Sequence, residues 1–317
     1  MLKDIIASFL NGAARWIGAT LGVVFVLVIV ASMADQAALA NIMTHPTTGF
    51  EAPKWQGQDS ILLIPVKETI GSGNLTRHKM RHLLQTTQSG LLKGKVKAIL
   101  LDIDSTGGRV DDSEAIYHMI REYSDLYHVP VYALADGACA SGAYLMACTA
   151  KKIYSSAYST VGSVGVVFQW VNFSEALDKI GVKVLSASVG DKKKILSPFQ
   201  PPVPEDEESL KPIMESVYER FITAVSSARP LLTEKVLRNQ VGARFFSADE
   251  AKVHGYIDEI VNDRAPVIAA LAQEAGLSSN YALIELQSAS GLGDLFEMQA
   301  KVNSILSHIQ TALAPTL

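Results

Sequence analysis

The sequence predicts an α/β fold built on a largely parallel sheet and preceded by one transmembrane helix. Short apolar runs, SILLIPV from Ser60, VKAILLDID from Val96 and VPVYALAD from Val129, alternate with segments of helical periodicity. That alternation builds strand-helix-strand units with parallel strands. Glycine turns follow directly on such runs, at Gly107-Gly108 and around Gly142, where open α/β sheets place their ligands. An uncharged apolar run, Trp16 to Ala34, stands ahead of all of them.

Composition narrows the function. The 317 residues carry 28 Lys and Arg against 32 Asp and Glu, a net charge of −4, so nucleic acid is not an expected partner. At 48% hydrophobic and 19% charged residues, the chain is too apolar for disorder and long enough to bury a core without metal or disulfide staples. The two cysteines, Cys139 and Cys148, have no Cys or His at ligand spacing. Neither a disulfide framework nor a structural zinc is expected.

The run from Trp16 to Ala34 is 19 residues long, about 28 Å as a helix at roughly 1.5 Å per residue, enough to span a bilayer. Lys3 and Arg15 precede it and Asp35 follows. The positive-inside bias therefore puts residues 1–15 in the cytoplasm and the body outside it. Ser32-Met33-Ala34 and Ala38-Leu39-Ala40 also fit a signal-peptidase site, but the long amino-terminal region and long apolar run favour a retained anchor.

Residues 35–59, polar with Pro and Gly from about Asn41, read as a linker, and residues 60–287 as the main domain. There the strand Ser60 to Val66 comes first, then a helix within Leu75 to Ser89 closed by Gly90, and the strand Val96 to Asp104. Asp111, Asp112 and Ser113 offer capping chemistry for a helix to Tyr127, with Pro130 beyond its end. The strand VPVYALAD and an Ala-rich helix from Ser141 to Ala150 follow. KKIYSS and VGVVFQWV read as strands around a Gly-rich turn at Val161 to Gly165, Ser174 to Ile180 as a helix, and KVLSASVG as strand-like. After the four prolines between Pro198 and Pro204, an acidic first turn opens a long helix. FFSADEAKVHGYIDEI carries a short helix closed by Gly255 and a strand; a helix at Ala265 to Gly276 and a strand at Tyr281 to Leu286 complete the domain. Residues 288–317 place Leu295, Val302, Ile305, Ile309 and Leu313 at helical spacing, an amphipathic helix.

Chemistry concentrates at the two glycine turns. Backbone N–H groups there can face a ligand unobstructed, and a helix start favours a developing anion. With the hydroxyl of Ser141 they would make an oxyanion hole beside a nucleophile, although either turn alone is ordinary packing. A serine hydroxyl needs a base. The G-x-S-x-G elbow is missing from ACASG, and none of the seven histidines stands in a triad context: His118 and His128 belong to a helix and its exit, His78 and His82 to a surface helix. The remaining candidates are Lys192, Lys193 and Lys194, which by themselves also read as a solvated loop.

Four blocks, DIDSTGGRVDDSEAIYHMI, DGACASGAYLMACTAKKIYSSAYSTVGSVGV, SVGDKKKILSPFQPPVPEDEE and FFSADEAKVHGYIDEI, resemble in order and spacing the signal peptide peptidase A family of membrane-anchored serine proteases, its SohB-like members included. The resemblance implies a Clp protease/crotonase-like fold and a Ser-Lys dyad. It makes Ser141 the nucleophile and Lys193, four residues before Ser197, the general base. Gly108 and Gly142 become the oxyanion-hole donors, and Ser163 a residue that could position the lysine. Thr106, Ala143 and Lys194 depart from the family's usual Pro, Gly and acidic residue. The resemblance further implies membrane-proximal peptide substrates such as signal-peptide remnants, and a ring-like homo-oligomer. It places the protein in the bacterial inner membrane as a single-pass protein with its catalytic domain on the periplasmic side. A crotonase-type acyl-CoA enzyme and a catalytically inactive membrane-anchored scaffold of the same fold are the rival readings.

Overall fold

The computed structural model describes residues 42–47, 54–190 and 193–286. The expected anchor at 16–34, the segment before it and the expected helix at 288–317 lie outside the described residues, within which no helix is long and apolar enough to cross a membrane. In chain order the elements begin with β1 (Ile42–His45), β2 (Ser60–Val66), α1 (Arg77–Thr86), β3 (Val96–Ser105), α2 (Val110–Tyr127) and β4 (Val131–Ala140). Next come α3 (Gly142–Ala147), β5 (Lys152–Ser156), β6 (Thr160–Gly162), α4 (Ser174–Lys179), α5 (Pro204–Ala228) and α6 (Glu234–Val236). β7 (Phe245–Ser247), α7 (Ala248–His254), β8 (Glu259–Val261), α8 (Ala265–Glu274) and β9 (Ala282–Leu286) follow.

The described residues form two compact units, 42–47, 54–63, 82–97 and 277–286 in one, 64–81, 98–190 and 193–276 in the other. In the first, β9 runs between an antiparallel β1, with Thr44 opposite Ile284, and the parallel start of β2, with Ile61 opposite Leu283. The Trp55 indole N–H donates to Ser60 Oγ at 2.9 Å, and His45 Nε2 lies 2.8 Å from Glu285 Oε2. The stretch 35–59, expected to be a linker, thus supplies a strand. IMTH is too short to show alternation, and what makes it a strand is its distant partner β9.

In the second unit the strand order is β2-β3-β4-β5-β8, with β3-β4, β4-β5 and β5-β8 parallel as expected. The end of β4 pairs in parallel with β6, which carries the antiparallel β7. Ile99, Leu100, Leu101 and Ile103 are all fully buried, as a strand covered on both faces requires, and so β3 reads as a continuous apolar run. Asp102 in the middle of that run keeps its charge company with Lys67 Nζ at 3.0 Å and Arg264 at 3.7 Å. Arg229, just past α5, donates from Nε to the Gly255 carbonyl at 2.8 Å and from both terminal nitrogens to Asp258, at 2.9 and 3.0 Å. The same carboxylate accepts the Ile153 N–H at 2.7 Å, tying α5 and the α7-β8 turn to β5.

Two expectations of local structure are corrected. No side chain caps α2: Arg109 is its cap residue without a side-chain bond. Asp111 accepts instead from the Arg109 and Arg77 guanidiniums, and Asp112 from the Arg77 backbone N–H at 2.8 Å. VGVVFQWV and KVLSASVG are not strands. They run without ladder partners among the described residues and leave Val167, Leu185 and Val189 78%, 94% and 98% exposed. An apolar pattern becomes a strand only where a neighbour supplies its hydrogen bonds.

Both cysteines are buried and free, and burial pushes their thiols up, Cys148 to about 12. Since the thiolate is the reactive form, a chromogenic disulfide reagent at pH 8 is expected to find no thiol in the folded protein and two in denaturant.

Candidate active site

The exit of β3 is shaped by a loop that docks on it. Ser105 Oγ donates to the Glu68 carbonyl at 2.7 Å and accepts the Gly107 N–H at 3.2 Å. Ile70 forms a parallel bridge to Gly108: its N–H donates to Gly107 O at 3.0 Å, and its carbonyl accepts the Arg109 N–H at 2.9 Å. In a parallel bridge the flanking groups face the partner, so the N–H of Gly108 points to the opposite side. A Cβ on Gly108 would lie 2.1 Å from Ile70 O, which restricts this position to glycine.

The exit of β4 carries Ser141. Ala140 stands opposite Gly162 in β6, and the Ser141 N–H donates to Gly162 O at 3.0 Å. Ser141 has φ 52° and ψ −125°, a conformation that side chains other than glycine's adopt at a cost of about 1–3 kcal/mol. The strained residue ends a strand and caps α3. Gly142, the first residue of α3, has one of the N–H groups that a helix start leaves without an intrahelical partner. The two exits meet closely. A Cβ on Gly107 would lie 2.8 Å from Gly142 N and 2.9 Å from Ser141 Cβ, and one on Gly142 would lie 2.2 Å from Ser113 Oγ.

Gly108, Ser141 and Gly142 line one cavity of about 400 Å³, together with side chains of α2 and α5 and with Leu145 and Val166. A hydroxyl beside two amide donors in a mostly apolar recess can attack and polarise a carbonyl. Among the described residues no group of three His, Cys, Asp or Glu side chains could hold a metal ion.

Three of the residues singled out from the sequence therefore share this site. Ser163 stands one residue beyond Gly162, also at positive φ (52°), its N–H held by Arg244 O at 2.7 Å; it lies beside the strand that holds Ser141 and does not line the cavity. Lys193 and Lys194 are exposed on the turn that follows KVLSASVG, outside the cavity lining, with Lys194 Nζ on Ser186 O at 2.8 Å. Lys192 lies outside the described residues. Sequence reasoning missed Ser105 and Ile70, which hold the first glycine turn, and Ser113, which packs on the second. A serine after a strand and an isoleucine in a polar loop carry no local signal for such contacts.

The model of peptidase family S49 matches residues 127–278. A putative protease of Synechocystis sp., slr0021, is 30% identical over 207 residues, covering 65% of this chain and 72% of its own. A putative protease of Methanocaldococcus jannaschii, MJ0651, is 31% identical over 201 residues, 62% of this chain and 63% of its own. A putative signal peptide peptidase SppA of Enterococcus faecium is 29% identical over 165 residues, 52% of this chain; the chain spans 47% of that relative's length.

Replacing Gly142 by Ala forces its new methyl against Ser113 Oγ. Gly142→Ala is expected to lower stability by about 2 kcal/mol, the usual scale of overpacking, and Ser113→Gly to restore part of it. Thermal unfolding of the two single variants and the double variant checks this.

Proposed function

Because the chain belongs to peptidase family S49, we propose that it is a membrane-anchored serine endopeptidase with Ser141 as nucleophile and Lys193 as general base. One observation carries the reading: a strained serine stands at a strand exit beside two glycine amides, all three lining one recess. In the proposed reaction Ser141 Oγ attacks the peptide carbonyl carbon and its proton passes to the Lys193 amine. The carbonyl oxygen takes the negative charge against the Gly108 and Gly142 N–H groups, each worth about 3–4 kcal/mol in such sites. The C–N bond then breaks as Lys193 returns the proton to the leaving amine. A water molecule deprotonated by the same lysine hydrolyses the acyl ester and regenerates Ser141. Ser163, next to the Gly162 carbonyl that accepts from Ser141, is the proposed helper for the lysine. No cofactor takes part.

The Clp protease/crotonase-like architecture belongs to this reading, and the parallel sheet with Gly108 and Ser141 at adjacent strand exits supports it. Membrane-proximal peptides such as signal-peptide remnants are the proposed substrates, supported by the apolar lining of Leu145, Val166 and Phe221. The uncharged run from Trp16 to Ala34 supports an inner-membrane anchor with the catalytic domain on the periplasmic side. A homo-oligomer is the proposed assembly. Of the 22 exposed large hydrophobic side chains among the described residues, 12 lie between Val167 and Val203, a density that monomers seldom leave in water.

The exposed position of Lys193 favours one rival, an inactive scaffold of the same fold. To separate the two, the full-length protein in detergent is incubated with an unfolded protein and with an apolar signal-like peptide, beside Ser141→Ala and Lys193→Ala. The expected result is cleavage by the wild type and a loss of at least about a thousandfold in both variants. A dead Ser141→Ala beside an active Lys193→Ala would move the base to Lys192 or Lys194. A folded wild type that cuts nothing would leave the scaffold.

A further inference from the structure

The walls of the cavity are joined by a charge pair that the proposed chemistry does not use. Ser113, Tyr117 and Arg121 recur at i, i+4 and i+8 on α2 and turn one face of that helix to the cavity. Ser113 touches Gly142, so this end of α2 is the one beside the nucleophile, and Tyr117 is one turn, about 6 Å, farther along. The opposite wall is α5, with Phe221 and Arg220. Ser113, Tyr117 and Phe221 are buried at 2%, 4% and 7% exposure, and an unpaired substrate charge set against them would find little to replace its water. At the solvent side the walls meet again: Arg220 Nε of α5 lies 2.8 Å from Glu114 Oε1 of α2, the two side chains 54% and 32% exposed. Among the described residues this guanidinium also donates from a terminal nitrogen to Ser216 Oγ of its own helix, at 3.2 Å.

We propose that the Glu114–Arg220 pair ties α2 to α5 across the mouth of the cavity and limits the size of the apolar side chain admitted beside the scissile bond. The inference rests on the peptidase reading and names a specificity device for it. A packed wall transmits a change of spacing along its length instead of absorbing it locally. Releasing one partner therefore lets the helices part and relaxes the limit, so large side chains gain on medium ones. Because the pair is half in water, salt weakens it as well.

The test uses three peptides that differ only in Ala, Leu or Trp before the scissile bond, with the full-length protein. In the wild type the kcat/KM ratio of Leu to Trp is expected to exceed one. Glu114→Gln and Arg220→Gln should each lower it about threefold, on the scale of an exposed ion pair, and so should about 0.5 M salt on the wild type. The charge-swapped Glu114→Arg/Arg220→Glu protein should recover most of the ratio. A purely structural role would reduce all three peptides alike, and that result overturns the proposal, as does a swap no better than the single variants. The same ratio read as peptide Kd by fluorescence anisotropy in the Ser141→Ala background separates this proposal from the peptidase reading. Discrimination that depends on the pair, in a protein whose wild type cuts nothing, would sink the peptidase reading and keep the tie. Peptide affinities that ignore the pair, or no peptide binding at all, would sink the tie.

Discussion

Everything at this site depends on two strand exits coming closer than side chains permit. The turn after β3 and the start of α3 approach until a single methyl on Gly107 would sit 2.8 Å from Gly142 N. Three glycines remove the obstruction, and Gly108, Ser141 and Gly142 then line one recess. The geometry is fixed by backbone contacts: Ile70 on both sides of Gly108, Gly162 O on the Ser141 N–H, Ser105 Oγ on the Gly107 N–H. These contacts hold the two strand exits in one arrangement.

Holding a non-glycine residue at φ 52° requires surroundings that over-determine it. Here Ser141 is gripped by β6 through its N–H and by the first turn of α3 through its carbonyl, which accepts from Leu145 N at 3.0 Å. α3 is in turn buried along its whole length, and Tyr144 anchors it by donating its hydroxyl to Tyr256 O at 2.9 Å. Tyr256 follows Gly255, whose carbonyl is held by the Arg229 that also grips Asp258. Strain at the serine is thereby backed by a chain of buried contacts reaching α5, the second wall of the cavity.

Much of this was legible in the sequence where the cause is local. SILLIPV has the bounds of β2, because a strand buried on both faces must be apolar throughout. Gly255 closes α7 at φ 85°, the left-handed cap that glycine supplies most cheaply. That the exits of β3 and β4 share one recess was legible because parallel strands deliver their exits to one edge. What escaped is what distant partners decide. β1 exists through β9, Asp111 and Asp112 are claimed by Arg77 across 34 and 35 residues instead of capping their helix, and Ser113 matters through its contact with Gly142. VGVVFQWV and KVLSASVG failed for the opposite reason: their pattern was right for strands, and no strand of this chain is beside them among the described residues.

Those two unpartnered runs bear on the lysine as well. Lys193 follows KVLSASVG by three residues, so the position of the proposed base is set by a segment whose apolar side chains face water. Val184, Leu185 and Val189 gain roughly 25 cal/mol for each Å² removed from water, and any surface that covers them also fixes where the following turn goes. Ser141 is over-determined by backbone contacts, whereas Lys193 stands on an exposed turn beside an apolar segment that faces water, so the described residues fix the two to very different degrees.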